Sequence, residues 1–243
     1  MYLNVAIEND MGFTNAYSHI KYAIQDMVDQ LNNRTSNSFN YYGVESPLDV
    51  DMAEYGDDAE AEKQYIRDCL EELYNENHAI DGDAWVIADG AEVWGYGRGG
   101  IEYKPDSSTT IYGARAFHTP SQTAVADPLE FYHNLAMHEM GHNLTADHNK
   151  GDYTEYWDGS EWRIKDVTPM ASIYVYTSDD HNDSCWENGK GKSHAPDSLC
   201  NGRENKTMSI KFCNHWTCEA VCRHDTLRLA SCAVDDIEDS TPL

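Results

Sequence analysis

The short apolar run at residues 84–90, AWVIADG, is the segment that most limits which folds this chain can adopt. An apolar run of strand length between Gly and Asp turn residues is typical of a strand buried in the centre of a sheet. Near the start of the chain, Leu3, Val5 and Ile7 alternate with their neighbours, which predicts a half-buried strand. Residues 38–44, 92–103 and 109–117 predict three further strands.

Three helices are predicted between and after these strands. One contains apolar residues on a single face at spacings of three and four: Ala16, Ile20, Ala23, Ile24, Met27, Val28 and Leu31. The second covers residues 58–76. The third covers residues 127–145, where Asp127 supplies an N-cap acceptor, Pro128 the first helical position and Glu130 the third. The order of strands and helices predicts a mixed α/β (α+β) fold with the 127–145 helix packed against a sheet.

Regular periodicity ends after Asp147. Residues 1–148 are therefore expected to form an upper lobe, and residues 149–243 a loop-rich lower lobe of the same domain. Six of the seven cysteines lie in this second segment: Cys185, Cys200, Cys213, Cys218, Cys222 and Cys232. Such a set predicts disulfides formed in an oxidising compartment, with the pairing left open. Cys69, on the second helix, is either a buried thiol or the partner of one of them. We expect a secreted protein whose signal or pro-segment is not part of this sequence.

Acidic residues number 43 against 17 basic ones, for a formal net charge of −26. A surface this negative repels phosphate backbones, so nucleic acid is excluded as an expected partner. This net charge is compatible with salt adaptation, with calcium binding and with an ordinary acidic secreted protein. Residues 152–159 and 178–184 are acidic enough to bind Ca2+, but neither has the spacing of an EF-hand, which favours solvated loops. No apolar run is long enough to span a membrane.

Residues 138–148, HEMGHNLTADH, contain the residues that indicate a chemical function. His138 and His142 are four residues apart on one helix, so their imidazoles project together at a separation that Zn2+ can bridge. Glu139 is rotated away from that axis and is placed to reach a zinc-bound water rather than the metal. Because zinc lowers the pKa of such a water to about 7, a neighbouring carboxylate can accept its proton as the water attacks a carbonyl. This combination predicts peptide-bond hydrolysis.

The same stretch resembles the HExxHxxGxxH motif of the metzincin zinc metallopeptidases, and HEMGHNL is similar to the adamalysin (reprolysin) branch. The resemblance implies a zincin-like, two-lobed fold with a cleft between the lobes and a methionine-containing turn beneath the metal. It makes His138, His142 and His148 the ligands of one catalytic Zn2+, Glu139 the general base and Met170 the turn methionine. It also implies that an extended substrate pairs antiparallel with an edge strand, for which residues 93–101 are the candidate.

The sequence departs from the family pattern at Thr145, where metzincins have glycine. A left-handed residue other than glycine costs about 1–2 kcal/mol, whereas a structural zinc site contributes on the order of 10 kcal/mol or more. We therefore expect His148 to remain a ligand, with the turn either at Thr145 or shared with Ala146 and Asp147. Asp147 and Glu155 are the alternatives for the third ligand. No cysteine directly precedes Met170, which is a departure from the adamalysin pattern.

The sequence therefore predicts a monomeric zinc-dependent endopeptidase that acts on protein or peptide substrates. Two alternatives remain. One is a non-catalytic extracellular binding module with a structural zinc, although Glu139 argues against a site closed by four protein ligands. The other is a zinc peptidase restricted to small or terminal substrates, which a covered cleft would favour.

Overall fold

The computed structural model describes most of the first half of the chain and parts of the second. The described residues are 1–8, 14–43, 47–56, 58–89, 98–117, 128–147, 150–157, 159, 162–170, 174–176, 190–194, 200, 207–211, 224–225 and 228–240.

The first part of the chain forms a mixed sheet with helices. Its elements are β1 (Tyr2–Glu8), α1 (Thr14–Arg34), β2 (Asn40–Tyr41), β3 (Pro47–Leu48), α2 (Ala59–Asn75), β4 (Ala84–Asp89), β5 (Arg98–Tyr103), β6 (Ile111–Phe117) and α3 (Pro128–Asn143). The strand order is β2-β1-β4-β6-β5, and β3 also pairs with β1. All these pairings are parallel except β5 with β6, which is antiparallel. The predicted mixed α/β fold is thus confirmed.

Helices cover both faces of this sheet. Helices α1 and α3 pack on the face that carries Val5, Val86 and Ala114, whereas α2 packs on the face that carries Trp85 and Ile111. Strand β4 is buried along its whole length, as its apolar run predicted. The half-buried character predicted for β1 is wrong: Leu3, Asn4, Val5 and Ala6 are all buried. A strand with helices on both sides has no solvent face.

The predicted helices begin and end close to their expected residues. The Asp58 carboxylate caps α2 by accepting hydrogen bonds from the backbone N–H groups of Glu60 and Ala61, both at 2.9 Å. The other end of α2 turns at Asn77, whose φ of 61° lies in the left-handed region. Asp127, the predicted cap of α3, lies outside the described residues.

The second half of the chain contains more regular structure than its irregular sequence indicated. Its elements are β7 (Tyr153–Trp157), β8 (Trp162–Val167), β9 (Tyr174–Tyr176), β10 (Lys190–His194), β11 (Thr207–Lys211), β12 (His224–Asp225) and α4 (Ser231–Ser240). The strands form a second sheet of order β12-β8-β11-β10-β9, in which β7 also pairs with β8. The acidic segment 152–159 therefore lies largely in β7, and the segment 178–184 lies outside the described residues.

Helix α4 packs into the core of the first sheet. Leu229, Ala233, Val234 and Ile237 belong to the same buried cluster as the apolar face of α1. Arg34 Nη1 donates a hydrogen bond to the Leu229 carbonyl at 2.8 Å. The backbone N–H and hydroxyl of Ser36 both donate to Glu238 Oε1 at 2.6 Å. The two ends of the described chain are thereby joined by apolar packing and by hydrogen bonds.

One disulfide, Cys200–Cys232, joins α4 to the segment after β10. The remaining cysteines of the second half, Cys185, Cys213, Cys218 and Cys222, lie outside the described residues. Cys69 is a buried thiol on α2, which agrees with one of its two expected states. None of the helices in the described part of the chain has both the length and the apolar character needed to span a bilayer.

Candidate metal centre

The last turns of α3 carry His138 and His142, and backbone carbonyls orient both rings. His138 Nδ1 lies 2.5 Å from the Pro169 carbonyl oxygen, and His142 Nδ1 lies 2.9 Å from the Ala146 carbonyl oxygen. A carbonyl oxygen can only accept a hydrogen bond, so each Nδ1 must carry the proton. In the neutral imidazole each Nε2 then presents a lone pair. A carbonyl that fixes the tautomer in this way is typical of metal-binding histidines.

The two Nε2 atoms converge on one point. They lie 3.2 Å apart, and the two rings are nearly perpendicular, at 89°. With Zn–N bonds of about 2.0–2.1 Å, that separation corresponds to an N–Zn–N angle of about 100–105°, which is close to tetrahedral. The observed pair therefore fits Zn2+.

The chain turns at Thr145 directly after these histidines. Thr145 has a φ of 70°, so this residue alone among those from Leu144 to Asp147 takes the left-handed conformation. The Ala146 N–H donates to the Gly141 carbonyl at 2.9 Å and the Thr145 N–H donates to the His142 carbonyl at 3.1 Å. This pair of bonds is the Schellman motif, in which glycine is the usual left-handed residue. The turn also brings the Ala146 carbonyl to His142, so Thr145 helps to orient the His142 ring.

His148, the predicted third ligand, lies outside the described residues. Within the described part of the chain, no three His, Cys, Asp or Glu side chains are grouped in a way that could hold a metal. Of the two alternative ligands, Asp147 is exposed to solvent, and the side chain of Glu155 lies outside the described set. The structure therefore brings together two of the three predicted ligands.

Met170 lies directly against α3 and is almost fully buried, with 1% of its surface exposed. A Cβ atom at Gly141 would lie 2.2 Å from its sulfur, so a side chain at that position would displace Met170. Because Pro169 is the preceding residue, the same contact holds the Pro169 carbonyl near His138. The turn at Pro169 and Met170 thus packs against the end of α3 that carries His138 and His142.

Glu139, the predicted general base, is 3% exposed. Burial is the main cause that raises its pKa well above the usual range, the Glu62 carboxylate raises it further, and the Arg98 guanidinium opposes both effects. Glu62 is itself buried and accepts hydrogen bonds from Arg98 Nε at 2.9 Å and Arg115 Nη1 at 3.2 Å. Arg115 also donates to Asp89. A buried ionic network therefore lies close to Glu139.

Several residues of this site were not identified from the sequence. Gly141 lies inside a helix, where glycine costs about 1 kcal/mol relative to alanine, and such a residue signals close packing. Asn143 is buried at the end of the same helix, and its side chain bonds to backbone groups of β5 and β4. Glu62 interrupts the apolar face of α2. By contrast, the role of the Pro169 carbonyl has no signal in the sequence, because any residue supplies a carbonyl.

No protein-family model and no curated protein matches this chain. Among solved structures, the chain is similar to wild-type OgpA from Akkermansia muciniphila at a TM-score of 0.34 and 10% identity. The alignment covers 87% of this chain and 82% of that chain. A likeness this distant carries no argument about function.

Proposed function

We propose that the chain is a zinc-dependent endopeptidase of metzincin type, in which His138, His142 and His148 bind one Zn2+ and Glu139 is the general base. The observation that carries this proposal is the pair of Nε2 atoms 3.2 Å apart, with both Nδ1 atoms held by backbone carbonyls. The contact between Met170 and Gly141 adds support, because it sets a methionine turn against the metal-binding helix.

When bound, zinc supplies Lewis acidity that activates a water molecule and polarises a peptide carbonyl. The residues of the chain perform the proton transfers. In its ionised form the Glu139 carboxylate would accept a proton from the attacking water, and the burial that raises its pKa strengthens its affinity for that proton. The same carboxyl group then returns the proton to the leaving amine.

Cleavage of internal bonds is favoured by the position of β5. In the described residues, β5 pairs only with β6 and its other edge is open. It also packs directly on α3, beside the metal-binding histidines. An extended peptide that pairs with this edge lies across the metal site and can extend in both directions. Part of the predicted edge, residues 93–97, lies outside the described residues.

The test compares wild type with Glu139→Gln after the zinc content of both has been measured. Both proteins are given unfolded casein and a quenched peptide library, at low and at molar salt. We expect wild type to cleave internal bonds, and the variant to keep one zinc while losing about 100-fold to 10,000-fold in rate. If both proteins hold zinc and neither cleaves at any salt, a binding module with a structural zinc is the better interpretation. Cleavage confined to terminal residues would favour the restricted peptidase.

The third ligand is tested separately. We expect His148→Ala to weaken zinc binding, whereas Asp147→Ala and Glu155→Ala leave it unchanged. Loss of zinc affinity in one of these two controls, with His148→Ala binding normally, would reassign the ligand.

A further inference from the structure

Strand β5 crosses α3 at backbone contact distance, and two glycines make this possible. A Cβ atom at Gly99 would lie 2.3 Å from the Glu139 carbonyl oxygen and 2.8 Å from His142 Cβ. Gly100, the next residue, has a φ of +70° and lies over the His142 carbonyl. The closest approach of strand and helix therefore occurs at the two residues that the proposed mechanism uses.

Asn143 joins the strand to the helix at this same point. Its side chain is 2% exposed, and its Oδ1 accepts a hydrogen bond from the Gly100 N–H at 2.8 Å. Its Nδ2 donates to the Trp85 carbonyl of β4 at 3.0 Å. Asn143 thus bonds to the edge strand through one side-chain atom and to a central strand through the other.

The ladder between β5 and β6 is irregular where this contact forms. Arg98 pairs with Arg115 and Ile101 pairs with Gly113, and the register shifts between them. An irregularity of this kind frees one residue from the ladder. The Gly100 N–H is bonded to the Asn143 side chain, so α3 holds the edge strand at its irregular point.

We infer that Asn143 is a positioning residue that, with Gly99 and Gly100, holds the substrate-pairing edge of β5 at a fixed distance from Glu139 and His142. This inference rests on the proposed endopeptidase function. An extended peptide bound along β5 takes its position from the strand, so any movement of the strand relative to α3 moves the scissile bond relative to Glu139. Misplacement of a reacting group by about 1 Å can cost on the order of 100-fold in rate.

The chain offers matched controls at a distance from this contact. Asn4 is also buried, at 1% exposure, and its Oδ1 accepts a backbone hydrogen bond from the Tyr42 N–H at 2.9 Å. It lies on β1, which β4 and β6 separate from β5 in the sheet order. Gly56 is a matched glycine, because an added Cβ atom meets only Ala61 Cβ, at an ordinary 3.6 Å.

The experiment measures kcat and KM for two quenched peptides that span one bond cleaved in casein, one of about six residues and one of about twelve. The variants are Asn143→Leu and Gly99→Ala, and the controls are Asn4→Leu and Gly56→Ala. We expect kcat for the long peptide to fall about tenfold or more in both variants, because its scissile bond is displaced from Glu139. The short peptide pairs with fewer residues of β5, so its kcat should fall less, and the ratio of long-peptide to short-peptide kcat/KM should drop. The controls should keep the wild-type ratio of long-peptide to short-peptide kcat/KM, even if Asn4→Leu lowers the melting temperature as much as Asn143→Leu does.

Each outcome supports or overturns the inference. If wild type is active and both Asn143→Leu and Gly99→Ala keep its ratio of long-peptide to short-peptide kcat/KM, the inference is overturned and the proposed function stands. An equal change of this ratio in Asn4→Leu has the same meaning. If Asn143→Leu does not fold, Gly99→Ala decides, because it disturbs the same contact from the strand. Hydrogen exchange gives a readout without activity: the Gly100 amide should be protected in wild type, and its rapid exchange overturns the contact itself. A wild type that holds zinc and cleaves nothing removes the proposed function and this inference together.

Discussion

The sulfur atom of Met170 occupies the space into which a side chain at Gly141 would project, with Sδ 2.2 Å from the position of a Cβ atom there. Gly141 lies between His138 and His142 on α3, and Met170 follows the residue whose carbonyl orients His138. This contact therefore links the packing of the turn to the orientation of His138.

Replacing Gly141 with alanine tests this contact. Alanine favours the helix by about 1 kcal/mol, but overpacking of a buried site typically costs about 1–3 kcal/mol. We expect Gly141→Ala to be less stable than wild type in urea denaturation and to bind zinc more weakly, because displacement of Met170 also moves the Pro169 carbonyl. Gly56→Ala is the control and should bind zinc like wild type. Unchanged stability and zinc affinity in Gly141→Ala would mean that Met170 does not support the site.

Glycine at position 145 should stabilise the protein. Thr145 is β-branched and left-handed, a conformation that costs a non-glycine residue about 1–2 kcal/mol. Part of this gain is offset because glycine has more freedom in the unfolded chain, so we expect Thr145→Gly to raise the free energy of unfolding by about 0.5–1 kcal/mol. Urea denaturation of the metal-free wild type and variant measures this difference in the free energy of unfolding.

Asn77 provides the comparison, since α2 ends with the same pair of hydrogen bonds around a left-handed residue. Asparagine tolerates this conformation, so Asn77→Gly should gain less than Thr145→Gly. An equal gain at both positions would show that threonine is not specifically strained.

Asp83 should make stability fall as the pH rises. The residue is 3% exposed, and burial raises the pKa of its carboxyl group to about 6. Because the pKa in the unfolded chain is about 3.9, the folded protein binds this proton more tightly, and stability is lost as pH rises from about 4 to about 6. Asp83→Asn stays neutral, so we expect it to be more stable than wild type at pH 7 by on the order of 1–2 kcal/mol. Urea denaturation between pH 4 and pH 7 checks the window.

Asp106 is the control of opposite sign. Hydrogen bonds from Ser108 and Thr109 lower the pKa of its exposed carboxyl group to about 2. The stability that its ionised carboxyl group contributes is present above about pH 4 and is lost as the pH falls toward 2. Asp106→Asn should therefore leave the window between pH 4 and pH 6 unchanged. If Asp83→Asn also leaves that window unchanged, the Asp83 carboxyl group is not the cause.

Zinc should stabilise the fold, and this effect should require both His138 and His142. Free zinc at about 1,000 times its dissociation constant adds about 4 kcal/mol to stability, provided that the unfolded chain does not bind it. We expect chelator to lower the melting temperature of wild type and added zinc to restore it. His138→Ala and His142→Ala should show no such shift, whereas His78→Ala, at the end of α2, should respond like wild type. The effect should weaken on acidification, because zinc competes with protons for Nε2.

Local patterns predicted much of the first half of the fold and only part of the site. The apolar run of β4 and the helical spacing of α1 depend on neighbours in sequence, and both predictions are confirmed. The burial of β1 on both faces depends on where α1 and α2 pack, which spacing within the strand does not encode. The i and i+4 spacing placed His138 and His142 together. The carbonyls of Pro169 and Ala146, which orient them, depend on a turn and on tertiary packing.

The polar residues near the site were difficult to predict for a related reason. Glu62, Arg115 and Asn143 look like surface residues in a local pattern, because each is polar. Their burial is explained only by partners far away in sequence, such as Arg98 for Glu62 and Gly100 for Asn143. Glu62 and Asn143 are therefore positions near the proposed catalytic glutamate that pattern reasoning missed.

The packing of α4 on α1 has a consequence for how the protein is made. The Leu229 carbonyl accepts a hydrogen bond from Arg34, 195 residues earlier in the chain. On a ribosome that adds about 5–20 residues per second, this segment is made about 10–40 s after Arg34, so α4 is the last element to join the shared core. Until then α1 can pack only on the strands and on α3. A nascent chain that has not reached Ile237 already contains the whole 138–148 motif, but its core is incomplete.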